Sequence, residues 1–564
     1  MLRGSCAGDA AYVMRKALVS GMVLLALAPA AHLAWVGRDM PHLGYFHDDS
    51  IYLVSAKSLA EGHGYRILSL PAEPFQTKYP PLWPLLLAGI WKLAPRFPEN
   101  LKWEMALAWL MLPLFIALAW HWFRAAGLGF RTRAALCVVL ALNPWMAFLG
   151  TTLMSDLAFS ALLLGALLAT DRASRDTRAA PLAGILAAAA YLVKAAALPF
   201  LIAGPLWLAL RRKFRAAALL FCSMLPAVVW WTLWSRRHMS HAHDIVSLYY
   251  TDYLGYQIYS VGWRDLPLVM WKNLDAIFSS VAGLLIFDLG NSPAGMHLSR
   301  LVTIGAIIGT VRFARQRGMT PYHWVAAGYT AILLVWHFQP NERFLLPLYP
   351  LLLAGIATEL EHLAQVIRKA WPRGIANRVV GVAMAGSLAA LASVGTVWNL
   401  DAILRQFPGI IEQHRAVLAS KRAAFTWIAR HAPEAAFWAY DDPVFFLYTG
   451  QHAAHLPVDP LPFYRQDREA ILRPFRSLPA FAREQHLDYL LLTAADFHRD
   501  LPPSERDEVR RILAGYGGLK LAYQSPLSSI FQVTRAGLPT ERVEISTAEG
   551  VQPASSAAQA SRIQ

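Results

Sequence analysis

The chain has 564 residues, of which 56% are hydrophobic and 16% charged, with a net charge of +15. Soluble domains carry roughly 25% charged residues, so an ordinary soluble protein is excluded, and apolar runs of helical length exclude an outer-membrane barrel with its roughly 10-residue alternating strands. The basic residues gather in short loops between the runs, as cytoplasmic loops do, which speaks against nucleic acid as a partner, and the three cysteines have no spacing suited to a disulfide framework or a zinc site.

Arg15-Lys16, the apolar run Ala17 to Val36 and Ala28-Pro29-Ala30 fit either a cleaved signal peptide or an uncleaved first span. The run is about 20 residues long, enough to cross a bilayer, which favours the span. Either way Arg3, Arg15 and Lys16 keep the N-terminus cytoplasmic and residues 37–102 are delivered to the other side.

That external loop is unusually polar. It opens with Phe46-His47-Asp48-Asp49-Ser50-Ile51-Tyr52 and later carries Lys78-Tyr79-Pro80-Pro81-Leu82. A carboxylate such as Asp48 or Asp49 can act as a general base on a hydroxyl, and adjacent acids can raise one another's pKa or coordinate a cation. The same residues also suit a helix cap ahead of Ser50-Ile51-Tyr52-Leu53. The two prolines fix an extended backbone that can hold Lys78 as a point charge for a phosphate. A juxtamembrane lysine extending toward water is the ordinary alternative.

Further spans follow at about 103–123, 134–150 and 157–170, the last ending in the charged loop Asp171 to Arg178. Asp156, in Thr151-Thr152-Leu153-Met154-Ser155-Asp156, falls at the outer end of this hairpin, as a functional acid or a helix cap. The stretch 182–210 has basic flanks at both ends, so it crosses twice, bending near Lys194 to Pro199. A lysine at mid-bilayer costs roughly 2.5–3.5 kcal/mol on insertion scales, so Lys194 requires a cavity, a partner or the interface.

The run 216–234 exits again. In 235–297, Tyr249-Tyr250, Trp263 and Trp271 suit an interfacial loop with aromatic anchors, and 277–290 is short for a span, as in a re-entrant or surface helix. Spans at 298–316, 321–338, 344–360 and 378–398 complete a set of about eleven and leave the C-terminus outside. Gln339 to Pro347 is the third external cluster. Its Arg343 suits forked contact with a phosphate, or a salt bridge to Glu342 or a lipid headgroup contact. This topology places Asp48, Asp49, Lys78, Asp156, Lys194 and Arg343 on one face of the membrane.

From about 400 the composition becomes that of a small soluble α/β domain. Phe437 to Tyr440, Tyr489 to Leu492 and Leu519 to Tyr523 have strand character, and Ala416 to Arg430 and Ser504 to Ala514 helix character. The expected organisation is a mainly α, polytopic transmembrane helix bundle over 1–400, a soluble α/β domain over 401–536 and a disordered tail over 537–564.

The order of these motifs resembles the GT-C membrane glycosyltransferases, closest to bacterial relatives of the protein O-mannosyltransferases and the lipid A aminoarabinose transferase. The likeness rests on Asp48-Asp49-Ser50-Ile51-Tyr52, Gly62-His63-Gly64, Lys78-Tyr79-Pro80-Pro81-Leu82, an acid after the third span and Arg343-Phe344-Leu345-Leu346-Pro347, and covers roughly residues 15–400. It implies an inverting transfer of a sugar from a polyprenyl-phosphate donor to a hydroxyl of a lipid, glycan or protein acceptor. The reaction would run at the periplasmic face of the bacterial inner membrane. Asp48 matches the family's base and Asp49 a supporting acid. Lys78 and Arg343 match the cations that neutralise the leaving phosphate, and Lys194 stands where relatives often carry Arg or Lys. Tyr52, Tyr79 and Asp156 join them as substrate-binding candidates.

Two departures stand out: Tyr79 separates Lys78 from the prolines, and Phe344 follows Arg343 where many relatives have Tyr. They leave sugar and acceptor open, and no dedicated cluster decides for or against a divalent cation. Two other functions fit a membrane chain of this kind. A transporter or flippase of lipid-linked glycans would show broken spans and repeated halves, whereas no repeat is visible. A non-catalytic membrane protein with a periplasmic binding domain would leave Asp48 dispensable.

Overall fold

The computed structural model describes residues 21–240, 245–252, 255–256, 261–287, 289, 293–370 and 375–534. The N-terminal basic residues and the tail from 537 lie outside them. The chain is mainly helical with one small sheet. Among the described residues, four helices are long and apolar enough to cross a membrane: Leu101–Ala125, Phe214–His238, Leu266–Leu285 and Glu342–Val366. Gly21–Val36, Leu82–Leu93, Thr177–Val193 and Ala195–Leu210 are apolar but shorter. The backbone divides into two compact units, each assembled from three stretches of sequence.

The first unit comprises Met1–Arg38, Met105–Trp231 and Met270–Pro408. Its helices pack through small residues. Along Pro293–Arg317 and Tyr349–Ala370, a Cβ on Gly309 would come within 2.2 Å of the Gly355 carbonyl oxygen. Glycine at both positions lets the two backbones touch, and Arg312 reaches Glu359 at 2.6 Å one turn further on. The hairpin of Asp156–Ala173 and Ala180–Val193 buries Ala180, Ala183, Ala187 and Ala190 in the same manner.

Two sequence expectations change here. The run 134–150 is two helices, Phe130–Ala141 and Pro144–Leu149. Pro144 lacks the N–H that would continue the first helix, and the Asn143 side chain caps the second by accepting from Met146 N at 3.0 Å. The bend expected in 182–210 is present: Lys194 is extended between Ala180–Val193 and Phe200–Leu210. Residues 277–285 of the short segment expected at 277–290 belong instead to the 20-residue helix Leu266–Leu285. Lys272, Asn273 and Asp275 interrupt its hydropathy. Asn273 is nevertheless buried, donating to the carbonyls of Leu333 and Leu334 at 3.0 and 3.1 Å, so its polarity is internal to the unit.

The second unit comprises Asp39–Glu104, Thr232–Val269 and Gly409–Gln564. Its sheet has β1 (Phe437–Ala439), β2 (Ala453–Ala454), β3 (Tyr489–Thr493), β4 (Leu519–Ser525) and β5 (Ser528–Val533), in the order β2-β1-β3-β5-β4. β1 pairs in parallel with β2 and β3; β5 is antiparallel to both β3 and β4. Alternate residues of β3 serve opposite faces. Leu490 and Leu492 join Trp438, Leu472, Phe475 and Phe481 on one side, and Leu491 joins Phe425, Ile428, Phe437 and Ile530 on the other. Ile51, Ile67, Leu70 and Tyr250 belong to the first of these clusters. The stretch 39–104 therefore shares a hydrophobic core with the C-terminal sheet.

Candidate functional site

The first group of candidates lies in the second unit. Asp48 and Asp49 form the first turn of the helix Asp48–Glu61, where carboxylates complement the helix dipole. His47 precedes them in a left-handed conformation at φ 63°. The two acids have different surroundings. Asp48 is partly exposed, and the Tyr79 hydroxyl donates to its Oδ1 at 2.5 Å. Asp49 is fully buried and accepts from the backbone N–H of Gly44 at 3.3 Å and of Ser50 at 3.0 Å. Gly44 has φ 87°, and a side chain there would meet Val444 at 2.6 Å. Its carbonyl accepts from Arg499 Nη1 at 2.9 Å.

Burial pushes the Asp49 carboxyl up to about 7, against the lowering effect of its two N–H donors. An acid whose folded pKa lies above its unfolded 3.8 favours the folded state when protonated, so this stabilisation is complete below about pH 4 and lost as pH rises toward about 7. Asp49→Asn leaves one acceptor for two donors, a pH-independent cost, and removes that slope. The wild-type melting temperature, relative to the variant, is therefore expected to fall between about pH 4 and about pH 7. A pH-independent difference in thermal melts would show that Asp49 does not titrate on folding.

The lysine motif is a rigid turn. The Gln76 side-chain oxygen accepts from the backbone N–H of Lys78 at 3.0 Å and of Tyr79 at 3.2 Å. The Tyr65 hydroxyl donates to the Tyr79 carbonyl at 2.9 Å. The proline pair is not extended throughout: Pro81 is helical at φ −85°, ψ −12° and opens the helix Leu82–Leu93, because proline suits a helix start. Tyr52 packs edge-on against Tyr79 with ring centroids 4.9 Å apart. The Lys78 ammonium lies 3.6 Å from the centroid of the Tyr249 ring. Burial lowers the Lys78 pKa to about 7, opposed by Asp48 and Asp442. Asp48, Tyr52, Lys78 and Tyr79 are thus brought together, and the tyrosine that departs from the family pattern is the residue that touches Asp48.

The second group lies in the first unit. Asp156 is buried in the first turn of its helix, and its Oδ1 accepts from Lys194 Nζ at 2.6 Å. Its Oδ2 has no hydrogen-bond partner among the described residues. The expected partner for a lysine in an apolar stretch is therefore an acid 38 residues earlier. The Phe344 ring stands by two cations, Lys194 Nζ at 5.0 Å and Arg343 Cζ at 4.7 Å. Arg343 Nη1 also approaches the Met154 sulfur at 3.8 Å. Lys194 thus bonds Asp156 and shares the Phe344 ring with Arg343.

Sequence reasoning missed a buried network in the second unit. The Tyr250 hydroxyl donates to Asp442 Oδ1 at 2.7 Å and lies 3.1 Å from His47 Nε2, and Ser69 donates to Asp442 Oδ2 at 3.2 Å. Tyr250 is therefore a fully buried core residue rather than the interfacial anchor expected, and Tyr249 is half-buried against the same core. Trp263 and Trp271 are exposed. Asp441 is held by Lys421 at 3.1 Å and Arg499 at 2.9 Å, and these cations draw its pKa down despite burial. The adjacent pair Asp441-Asp442 was the one available signal. Among the described residues no group of His, Cys, Asp and Glu is arranged to hold a metal ion.

No family model matches the chain, and no curated protein matches it. Among solved structures the chain is similar to ArnT from Cupriavidus metallidurans in the apo state, over 91% of this chain and 98% of that one, at 12% identity and a TM-score of 0.47. The same enzyme bound to undecaprenyl phosphate aligns over the same shares at 13% identity and a TM-score of 0.49. An Archaeoglobus fulgidus oligosaccharyltransferase tethered with an acceptor peptide aligns over 91% of this chain and 74% of its own, at 11% identity and a TM-score of 0.47.

Proposed function

We propose that the chain is a glycosyltransferase of the bacterial inner membrane that moves a sugar from a polyprenyl-phosphate donor to a hydroxyl acceptor at the periplasmic face. The observation that carries this reading is the pairing of Asp48 with Tyr79 beside Lys78. An acid and a cation some 30 residues apart in sequence are fixed in one polar cluster by hydrogen bonds that a passive loop does not need. Asp48 is the base that takes the proton from the acceptor hydroxyl as its oxygen attacks the anomeric carbon. The bond from that carbon to the donor phosphate oxygen breaks as the new bond forms, and configuration inverts. Lys78 stabilises the negative charge that develops on the departing phosphate. In the first unit Arg343, with Lys194 in support, is a separate candidate for contact with a phosphate. Asp49 braces the turn that carries Asp48. Asp156 holds Lys194, and Tyr52 and Tyr79 order the polar cluster toward substrate.

The proposed topology has about eleven spans over 1–400, a cytoplasmic N-terminus, and the first loop and the domain over 401–536 in the periplasm. The direct test is mass spectrometry of envelope glycolipids and glycoproteins from a deletion strain. Loss of one glycosylated species, restored by the gene, names the acceptor; an unchanged profile overturns the reading.

Lys78→Ala and Arg343→Ala are each expected to weaken donor use about tenfold or more, since a charge-assisted contact is worth about 1.5–3 kcal/mol. A titration with polyprenyl-phosphate sugars checks this, and an unchanged donor dependence in both variants removes the phosphate site.

A further inference from the structure

We propose that the short helix Ile245–Thr251 positions both halves of the transfer chemistry, Tyr249 seating the Lys78 ammonium and Tyr250 locking the turn that carries Asp48. The proposal rests on the glycosyl-transfer reading above, and assigns to two adjacent residues two separable tasks.

Tyr249 comes first. The Lys78 ammonium sits 3.6 Å from its ring centroid and 5.2 Å from that of Tyr79. The ring is itself walled edge-on by Tyr250 at 4.9 Å and by Tyr256 at 5.5 Å. Thr77, the residue before the lysine, donates through its hydroxyl to the Thr251 carbonyl at 2.6 Å, so the backbone of the motif is fastened to the same helix. A lysine stem has four rotatable carbons and no preferred direction of its own. An aromatic face holds an ammonium in place without neutralising it, as a carboxylate would. That is what a cation awaiting a phosphate requires.

Tyr250 turns away from its neighbour by the helical step and does something different. Its hydroxyl has one proton, which goes to Asp442 Oδ1 at 2.7 Å. It can then only accept from His47 Nε2 at 3.1 Å, which fixes the His47 proton on Nε2. Asp442 is anchored from its other side by Ser69. The chain Asp442–Tyr250–His47 therefore ends on the residue that precedes Asp48, and that residue has a left-handed backbone at φ 63°. Such a conformation in a residue with a side chain persists only where its surroundings enforce it. Here the enforcement comes from the C-terminal segment through Tyr250, which makes that segment part of the reaction machinery.

The test is a dissociation between two kinetic constants, measured in purified full-length protein with the member of a panel of undecaprenyl-phosphate hexoses that supports wild-type transfer. Tyr249→Leu is expected to raise the donor KM, and to weaken binding of undecaprenyl phosphate alone, on the order of fivefold with kcat little changed, and Tyr249→Phe to restore both. Tyr250→Phe, which removes one oxygen and keeps the ring, is expected to lower kcat about tenfold with the donor KM little changed. If both variants lose KM and kcat together, or lose activity only in proportion to folded protein, the helix is a structural element and the proposal is overturned. A second readout does not require turnover. Labelling of the Lys78 amine by a water-soluble succinimidyl ester, followed by peptide mass spectrometry, is expected to be faster in Tyr249→Leu than in wild type or Tyr249→Phe. Equal rates overturn the seating of Lys78 even in an active transferase. Faster labelling in a chain that transfers no sugar keeps the contact and refutes the transfer reading instead.

Discussion

Asp48→Asn is expected to abolish sugar transfer while leaving the amount of folded protein and its melting temperature unchanged. Asparagine keeps the shape of the side chain, and its carbonyl oxygen can still accept from the Tyr79 hydroxyl, so the link to the lysine turn survives. Asp48 is partly exposed at a helix start, where removing a charge costs at most about 1 kcal/mol. What is lost is the capacity to take a proton, worth about 10²–10⁴ in rate for a positioned general base. The neighbouring acid cannot replace it. Asp49 is fully buried, with its carboxylate bonded to Gly44 and Ser50. The measurement is complementation of a deletion strain, with the envelope species read by mass spectrometry and thermal melts of the purified variant alongside. Full restoration by Asp48→Asn would end the role of Asp48 as base and favour a transporter or a binding protein, for which that carboxylate is dispensable.

Much of the helical framework was legible because a membrane-spanning helix is a local property: its length and hydropathy are fixed by residues adjacent in sequence. The bend at Lys194 was legible because an apolar run with basic residues at both ends is expected to turn back within its length. The failures share a different cause. Leu266–Leu285 was hidden because Asn273 is satisfied by carbonyls about 60 residues away, and a hydropathy window cannot see that partner. Tyr250 was misjudged because tyrosine suits both a membrane interface and a polar core. Only Asp442, 192 residues on, decides between them. β2 and β5 were missed because two alanines and a Ser-rich segment carry little strand signal of their own and owe their pairing to β1 and β3. In the candidate site, the motifs supplied Asp48 and Lys78, and Tyr79 was noted as a departure. That this tyrosine bonds Asp48 required coordinates.

Lys194→Met is expected to destabilise the protein by about 3 kcal/mol, the largest stability effect among these substitutions. Removing one partner of a buried ion pair leaves the other charge uncompensated, which costs about 3–5 kcal/mol, and the partial exposure of the Lys194 side chain places the effect at the lower end. The stranded group is Asp156, whose second oxygen already has no hydrogen-bond partner among the described residues. Replacing both residues, as Lys194→Met with Asp156→Leu, is expected to recover most of the lost stability, because a well-packed apolar pair often matches a buried ion pair. The two variants therefore separate holding the fold from handling the donor. Thermal melts in detergent follow the first, and binding of a polyprenyl phosphate follows the second. A double variant that melts like wild type but binds the phosphate weakly places Lys194 in the donor site. One that both melts and binds like wild type reduces the pair to a means of carrying a bent helix through an apolar environment. A single variant of wild-type stability would show that Asp156 does not depend on Lys194 at all, and that the answer to a lysine in an apolar stretch lies elsewhere.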